Sequence, residues 1–306
     1  MGPRHVPVLL EEVISLLGCA PHRIYVDATL GGGGHAFEIL RRTGPDGRVV
    51  GIEWDEEAIA ESRKVLGPFG PRVTIIRDNF VRFPERLREM KIEAVDGILF
   101  DLGLSSIQLE GEERGFSFMG EGPLDMRMDQ RSEATAEDLV NQLSQGELEE
   151  VLRVYGEERW SKRISEAIVK ERSQGPVKTT KALRKIVCQA VPRRFQSRRI
   201  DPATRTFQAL RIEVNQELEN LRGVLENGWP LLKKGGRMCV ISFHSLEDRT
   251  VKEAFRRLAG REAGGSGHGH ETAVKIITPK PITPSEEEQS RNPRSRSAKL
   301  RCAERV

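Results

Sequence analysis

Short apolar runs alternate with amphipathic segments through the first hundred residues of the chain. Four runs, at 24–26, 49–53, 73–76 and 95–101, are rich in β-branched residues and are bounded by polar or glycine-rich stretches, as strands are. Segments between them, such as Glu56–Leu66, place apolar residues at helical spacing. The run at 95–101 is nearly all apolar, as expected for a strand covered on both faces. This alternation predicts a parallel α/β sheet with right-handed crossovers.

The pattern changes after residue 105. A stretch rich in glycine, serine and aspartate leads into four predicted helices, and strand–helix alternation returns only after residue 205. The predicted elements are helices at Ala136–Leu143, Gly146–Val154, Arg159–Arg172, Thr180–Val191 and Phe207–Leu225, a strand at Arg237–Phe243, a glycine-rich loop at 260–270, and closing edge strands at Ala273–Thr278 and Ala298–Val306. We therefore predict a discontinuous α/β domain, 1–104 and 206–306, with a helical insert at 105–205.

Composition narrows the class of protein. The chain has 306 residues, 37% hydrophobic and 31% charged, which fits a globular protein of two domains. No run approaches the roughly eighteen apolar residues of a spanning helix, and the first residues lack the apolar core of a signal peptide. We expect a cytoplasmic protein that does not contact a membrane; homodimer formation is left open.

The cysteine and histidine positions do not suggest a disulfide or a metal site. Cys19, Cys188, Cys239 and Cys302 are far apart and show no paired spacing, so we expect free thiols. His268 and His270 lie in the glycine-rich loop without acidic or cysteine partners at ligand spacing. We therefore predict no bound metal.

Positive charge is concentrated in two stretches. The net charge is only +3, but residues 178–211 and 289–306 are strongly basic. Such local concentration favours docking to a polyanion, although a solvated basic surface has the same composition. The candidate substrate-binding side chains are Arg193, Arg194, Arg198, Arg199, Arg205, Arg294 and Arg296.

The run Asp27–His35 carries the clearest candidate chemistry. It holds four consecutive glycines between a predicted strand and a predicted helix, so backbone N–H groups and a positive helix end can approach a ligand. Glu53 ends the next strand, where a carboxylate can accept both hydroxyls of a ribose. Phe80 follows the third strand and can cover a purine face. The ends of parallel strands meet at one edge, so these groups predict a nucleoside site.

Two ligands fit this arrangement. Gly31, Gly33 and Ala36 satisfy the dinucleotide fingerprint G-x-G-x-x-G/A, with Glu53 as its ribose acid, so an NAD-dependent oxidoreductase is one interpretation. S-adenosyl-L-methionine is the second interpretation, because it presents the same ribose to Glu53. The basic residues of the helical insert favour a large polyanionic substrate, and such a substrate favours the methyl donor over NAD. A third hypothesis is a non-catalytic RNA-binding assembly factor.

Longer motifs resemble those of one family across nearly the whole chain. They are His5–Glu12, Gly31–His35, Asp96–Gly103, Ser105-Ser106, Gln108-Leu109, Arg114–Phe118, Gly122–Asp129, Thr204–Ile212, Ser242–Arg249 and Asn292–Arg301. In these stretches the chain is similar to the bacterial RsmH (MraW) 16S ribosomal RNA cytosine-N4 methyltransferases. The resemblance implies a Rossmann-like, class I S-adenosyl-L-methionine-dependent methyltransferase sheet with an inserted helical domain for RNA recognition.

The resemblance also implies a reaction and a donor site. The reaction is methylation of cytidine 1402 at N4, in the decoding region of 16S ribosomal RNA within the small subunit. The target base must leave its stack, which suits a loop or a single strand. Glu53 stands where many members carry aspartate. The donor-binding residues are those matching Gly33, Gly34, His35, Glu53, Phe80, Asp101 and Gln108.

Several residues are candidates for the acceptor of the amine proton. Many amino-methyltransferases use (D/N/S)-P-P-(Y/F/W) after the fourth strand, whereas this chain has Asp101-Leu102-Gly103-Leu104. The role therefore falls to Asp101 or to nearby backbone carbonyls. Asp125, Asp129 and His244 are further catalytic candidates, with local ion pairs or a structural hydrogen bond as the alternative. Trp54, Trp160 and Trp229 are expected to be packing residues.

Overall fold

The computed structural model describes residues 7–103, 112–197, 200–260 and 272–306. The chain forms two compact units, one of Met1–Ser105 and Leu218–Val306, the other of Ser106–Glu217. Among the residues that the structure describes, no helix combines the length and apolarity that crossing a bilayer demands. Gln108, Arg198 and Arg199 lie outside the described ranges.

The first unit is built on a seven-stranded sheet. Its strands are β1 (Ile24–Asp27), β2 (Arg48–Glu53), β3 (Val73–Arg77), β4 (Val95–Asp101), β5 (Leu232–Ser242), β6 (Val274–Ile276) and β7 (Lys299–Arg305), in the order β3-β2-β1-β4-β5-β7-β6. The first five are parallel, as predicted. β7 runs antiparallel to β5 and β6 and lies between them, so the expectation that it forms an edge is wrong.

Apolar layers cover both faces of this sheet. Ile98 and Phe100 of β4 point into one core, and Leu99 between them points into the other, which explains why this strand is almost entirely apolar. The helices of the first unit are α1 (Leu10–Leu17), α2 (Gly34–Arg42), α3 (Glu56–Leu66), α4 (Phe83–Glu89), α10 (Glu217–Gly228), α11 (Ser245–Leu258) and α12 (Glu286–Arg291).

The second unit is helical, as predicted. Its helices are α5 (Ala136–Gln142), α6 (Gln145–Gly156), α7 (Ser161–Arg172), α8 (Thr180–Ala190) and α9 (Thr204–Asn215). Thr135 and Ser144 begin α5 and α6 with capping boxes, in which the hydroxyl and the acid three residues later satisfy otherwise unpaired N–H groups. These caps fix both helix starts close to the predicted positions.

The single helix predicted over Phe207–Leu225 is wrong. Gln216 adopts a left-handed conformation (φ 50°) that separates α9 from α10. Helix α9 packs on α6, whereas Leu221 and Val224 of α10 lie in a core of the sheet. The amphipathic pattern continues across the break because both helices bury an apolar face. The two faces lie in different cores. The second unit accordingly ends at Glu217 rather than at the predicted 205.

Candidate active site at the carboxyl ends of the strands

The glycine run forms a tight turn from β1 into α2. Gly31 (φ 51°) and Gly33 (φ 83°) adopt left-handed conformations that disfavour other residues, and Gly33 stands directly before the first residue of α2. A Cβ placed on Gly32 would meet no atom within 4 Å. The turn therefore leaves open space against exposed backbone, a cradle that a small ligand can enter.

Glu53, at the end of β2, holds this turn in place. Its Oε2 accepts a hydrogen bond from Gly31 N–H (2.8 Å), and its Oε1 accepts from the N–H groups of Trp54 (3.0 Å) and Asp55 (2.9 Å). Burial raises the pKa of Glu53 to about 7, against these hydrogen bonds. Oε2 retains a lone pair, so the carboxyl group can still accept from a ligand hydroxyl.

Two aromatic rings lie beyond Glu53. Phe80 is buried and its ring lies 6.1 Å from that of Phe100, which supports a packing role in the core. The ring of Trp54, 6.1 Å from Phe80, is only half-buried. Trp54 is therefore the more accessible surface for a flat base. The sequence interpretation of Trp54 as a packing residue missed this, although its place directly after the strand-end acid was a signal.

His35 and Asp101 come together beside the turn. The His35 Nε2–H group donates to the Val8 carbonyl (3.0 Å), which leaves the Nδ1 lone pair facing Asp101 Oδ2 at 3.5 Å. Burial lowers the pKa of His35 to about 4, so the ring is neutral at pH 7. A neutral Nδ1 can accept a hydrogen bond from protonated Asp101 and thereby fix its orientation.

Asp27 and Asp101 place two carboxyl groups at the ends of adjacent strands. Among the described residues, Oδ1 of each has no hydrogen-bond partner, although both atoms are buried. Burial raises the pKa of Asp27 to about 7; burial, reinforced by the charges of Asp27 and Glu247, raises that of Asp101 to about 8. Unpartnered buried acceptors attract a cation or a hydrogen-bond donor and repel a pyrophosphate. The sequence reasoning did not name Asp27, although its position at a strand end was visible.

His244 lies at the start of α11, after β5. Its Nδ1 accepts from Glu247 N–H (3.4 Å), and its Nε2 lies 3.2 Å from Glu247 Oε1. The Glu247 carboxyl group in turn accepts from the His244 N–H (3.3 Å) and from the Phe243 N–H (2.7 Å). These contacts form a capping box, which supports the structural alternative; a catalytic role for His244 stays a prediction.

Asp125 and Asp129 lie in the second unit and each binds a neighbouring arginine. Asp125 accepts two hydrogen bonds from the Arg127 guanidinium (both 2.8 Å), and Asp129 is paired with Arg131 at 2.7 Å. Although burial raises the pKa of Asp125, the hydrogen bonds and charge of Arg127 outweigh it and hold that pKa below its usual value. These ion pairs support the structural alternative; a catalytic role for Asp125 or Asp129 stays a prediction.

The candidate arginines that the structure describes are on surfaces. Arg193 and Arg194 are exposed in the short turn Arg193–Phe195, and Arg205 is exposed with its guanidinium donating to the Glu157 carbonyl (3.0 Å). Arg294 and Arg296 are exposed in the first unit. Their positions suit contact with phosphates, and RNA binding by these residues stays a prediction.

The chain is similar in sequence to ribosomal RNA methyltransferases of several bacteria. The chain is 51% identical over 308 residues to the Ribosomal RNA small subunit methyltransferase H of Geotalea daltonii, covering 99% of both chains. It is 48% identical over 307 residues to the protein of that name from Halothermothrix orenii, covering 99% and 98%. A solved structure titled a putative rRNA-methylase, from Clostridium thermocellum, superposes with a TM-score of 0.47 at 14% identity, covering 99% and 100%.

A family model matches nearly the entire chain. Residues 3–306 fit the model of the MraW methylase family. That span includes the glycine turn, Glu53 and Asp101, together with the whole second unit. The chain therefore belongs to the MraW methylase family.

Proposed function

We propose that the protein transfers the methyl group of S-adenosyl-L-methionine to N4 of cytidine 1402 in the decoding region of 16S ribosomal RNA. Its family and relatives make it a small-subunit ribosomal RNA methyltransferase, which sets aside the oxidoreductase alternative. The observation that carries the proposal is the pair of carboxyl groups at the ends of adjacent strands, Asp27 and Asp101, each with a buried Oδ1 that has no hydrogen-bond partner among the described residues. This pair favours a cationic ligand over a dinucleotide.

The residues around the turn fit the donor. S-adenosyl-L-methionine supplies an electrophilic methyl group on a positively charged sulfur. Glu53 would accept from the ribose and Asp27 from the amino group of the methionine portion. Trp54 would cover the adenine, and Phe80, whose ring lies 6.1 Å from that of Trp54, would support it from the core. Gly33, Gly34 and His35 would line the methionine portion. The open space at Gly32 supports this assignment, since any side chain there would project into the cradle.

Asp101 is the proposed proton acceptor. The lone pair of a cytosine amine is delocalised into the ring. An acceptor that binds an N4 hydrogen can turn the amine so that its lone pair leaves conjugation and attacks the methyl carbon. The N–C bond forms as the S–C bond breaks, and the N4 proton leaves to Asp101 Oδ1. His35 Nδ1 lies 3.5 Å from the opposite oxygen, Oδ2, and would hold the carboxyl group in position while it is protonated, before the donor binds.

The local electrostatics suit this role. In the absence of ligand the Asp101 pKa of about 8 favours the protonated acid at pH 7. A cation bound beside the carboxyl group stabilises the ionised form, which is the form that accepts a proton. We therefore expect Asp101 to become a competent acceptor only when the donor site is filled.

A labelling experiment tests the proposal. The full-length protein is incubated with methyl-tritiated S-adenosyl-L-methionine and small subunits from a strain that lacks the enzyme, and the labelled nucleoside is identified by mass spectrometry. We expect N4-methylcytidine at position 1402. Label on carbon 5, on another nucleotide, or no label on either free RNA or assembled particles would contradict the proposal, the last outcome favouring a non-catalytic assembly factor.

A further inference from the structure

Two aromatic rings and three arginines form a cluster on the surface of the second unit. Trp160 precedes α7, and its ring centroid lies 5.2 Å from that of Phe195. Arg159 lies over both rings (5.4 and 5.3 Å to the centroids), Arg163 over Trp160 (5.9 Å) and Arg194 over Phe195 (4.8 Å). We call these five residues the arginine–aromatic patch.

Packing alone does not explain this patch. Phe195 is 44% exposed and Trp160 is only half-buried, so both rings present apolar area to water. Single exposed apolar side chains are normal in folded proteins, whereas clustered ones mark interaction sites. The backbone N–H of Trp160 donates to the carboxylate of buried Glu158 (2.8 Å), which anchors the backbone from which the ring projects.

The arginines of the patch differ from most others in the same unit. Arg153, Arg184 and Arg211 each pair with a carboxylate, at Glu150, Asp201 and Glu217. Within the described part of the chain, Arg159, Arg163 and Arg194 have no ion-pair partner, and each guanidinium lies over a ring of the patch. The patch therefore combines uncompensated positive charge with accessible aromatic faces.

We infer that the arginine–aromatic patch binds a single-stranded segment of the RNA substrate. An unstacked base stacks on Trp160 or Phe195, and the arginines contact the flanking phosphates, with their guanidinium planes available for further stacking. The charge selects a polyanion, and the rings select one with exposed bases, which a duplex does not offer. The inference rests on the proposed function for the identity of the substrate, and it reverses the sequence interpretation of Trp160 as a packing residue.

A comparison within the chain supports the assignment. Trp229, in the first unit, also has a guanidinium over its ring, that of Arg305 at 5.8 Å. Arg305, however, donates hydrogen bonds to the carbonyls of Pro230 and Leu232, and Trp229 packs against a core of the sheet. That ring–arginine pair is therefore structural, and Trp229 is a matched control for Trp160.

Binding of a fluorescein-labelled single-stranded RNA oligonucleotide to the full-length protein tests the inference. Trp160→Leu and Phe195→Leu should each weaken binding by about 5- to 100-fold, because one base–aromatic stack is lost. Trp160→Phe retains an aromatic face and should restore most of the affinity. Trp229→Leu should leave the affinity unchanged; thermal melting reports whether each variant is folded.

Salt dependence separates the rings from the arginines. Arg159→Gln and Arg194→Gln should each reduce the slope of log affinity against log salt by about 0.7, whereas Trp160→Leu should leave that slope unchanged. Arg153→Gln, whose guanidinium is already paired with Glu150, serves as the control. Heparin, a polyanion without bases, should bind Trp160→Leu as well as the unchanged protein.

The outcomes separate this inference from the proposed function. If the unchanged protein methylates RNA but folded Trp160→Leu and Phe195→Leu bind the oligonucleotide normally, the patch is not the binding site and the function stands. Equal losses of heparin and RNA binding would also overturn the stacking role. If methylation fails while oligonucleotide binding still depends on Trp160, the proposed function is wrong and the binding site remains.

Discussion

Single residues decide the chemistry of this site. Asp101, His35 and Asp27 are brought to one edge of the sheet, and in the described part of the chain two buried carboxyl oxygens among them lack hydrogen-bond partners. Their unusual pKa values follow from that burial rather than from any strong ion pair. In the proposed function, donor binding satisfies these groups, so they would be costly to the free protein and useful to the bound one.

Replacing Asp101 tests whether this carboxyl group is needed for activity and costly to stability. We expect Asp101→Asn to reduce methyl transfer by at least about 100-fold, because the amide cannot take up the amine proton. The ligand-free variant should melt at the same or a higher temperature at pH 8, since a buried carboxylate is removed. Asp96→Asn, at the opposite end of β4, is the matched control and should retain activity. A variant with near-normal turnover would exclude Asp101 as the acceptor.

The stability of the free protein should depend on pH in a defined direction. Asp27, Glu53 and Asp101 keep their protons to about pH 7, 7 and 8 when folded, but lose them near pH 4 when unfolded. Below pH 6.5 the lowered pKa of His35 opposes this effect, because the unfolded imidazole binds the extra proton. The free energy of unfolding should therefore fall as pH rises from 6.5 to 8.

Denaturant unfolding at several pH values measures this slope. Asp27→Asn should make the decline shallower, because one of the three titrating groups is gone, and Asp96→Asn should leave it unchanged. A free energy of unfolding that does not fall over this range would contradict the prediction, and a flat profile would show that these acids are already ionised in the folded protein.

At the scale of elements, the packing of β2 against the glycine turn matters most. A Cβ on Gly51 would come within 2.7 Å of the Leu30 side chain, and Leu30 directly precedes Gly31. Gly51→Ala should therefore destabilise the protein by about 1–3 kcal/mol and weaken donor binding, because the turn must shift.

Chemical denaturation and calorimetric titration with S-adenosyl-L-methionine check both effects. Gly146→Ala is the control: its Cβ would meet no atom within 4 Å, and alanine in α6 should stabilise by about 0.5–1 kcal/mol. Equal stability and equal donor affinity of the two variants would show that β2 does not support the turn.

Elements were more predictable than the site. The strands, the glycine turn and Glu53 follow from local spacing and were found from the sequence. The contact between His35 and Asp101 joins distant segments through sheet order, which no local pattern contains. The break at Gln216 was missed because the apolar periodicity of α9 and α10 is continuous in sequence. The sequence left two roles open for Asp125 and Asp129, because spacing alone does not show that each pairs with the arginine two residues away; their catalytic role stays a prediction.

At the scale of the whole molecule, both units carry exposed arginines suited to RNA. We expect Arg205→Gln, in the second unit, and Arg296→Gln, in the first, each to raise the KM for the ribosomal substrate several-fold without changing kcat, because phosphate contacts position the substrate. Arg222→Gln, which only breaks a surface pair with Glu219, should change neither constant. Steady-state methylation assays measure both; an effect on kcat alone would place these arginines elsewhere in the reaction.

The first unit is formed by two separate segments of the chain, and this affects how the protein folds. β4 pairs with β5, Val95 with Leu232, so the second unit lies in the chain between two neighbouring strands. Until β5 arrives, one edge of an apolar strand is unpaired and open to association with other chains. Early folding of the helical unit shortens the loop that must close and reduces its entropic cost. Core substitutions in the helical unit should therefore lower the yield of folded protein while leaving the specific activity of the folded fraction intact.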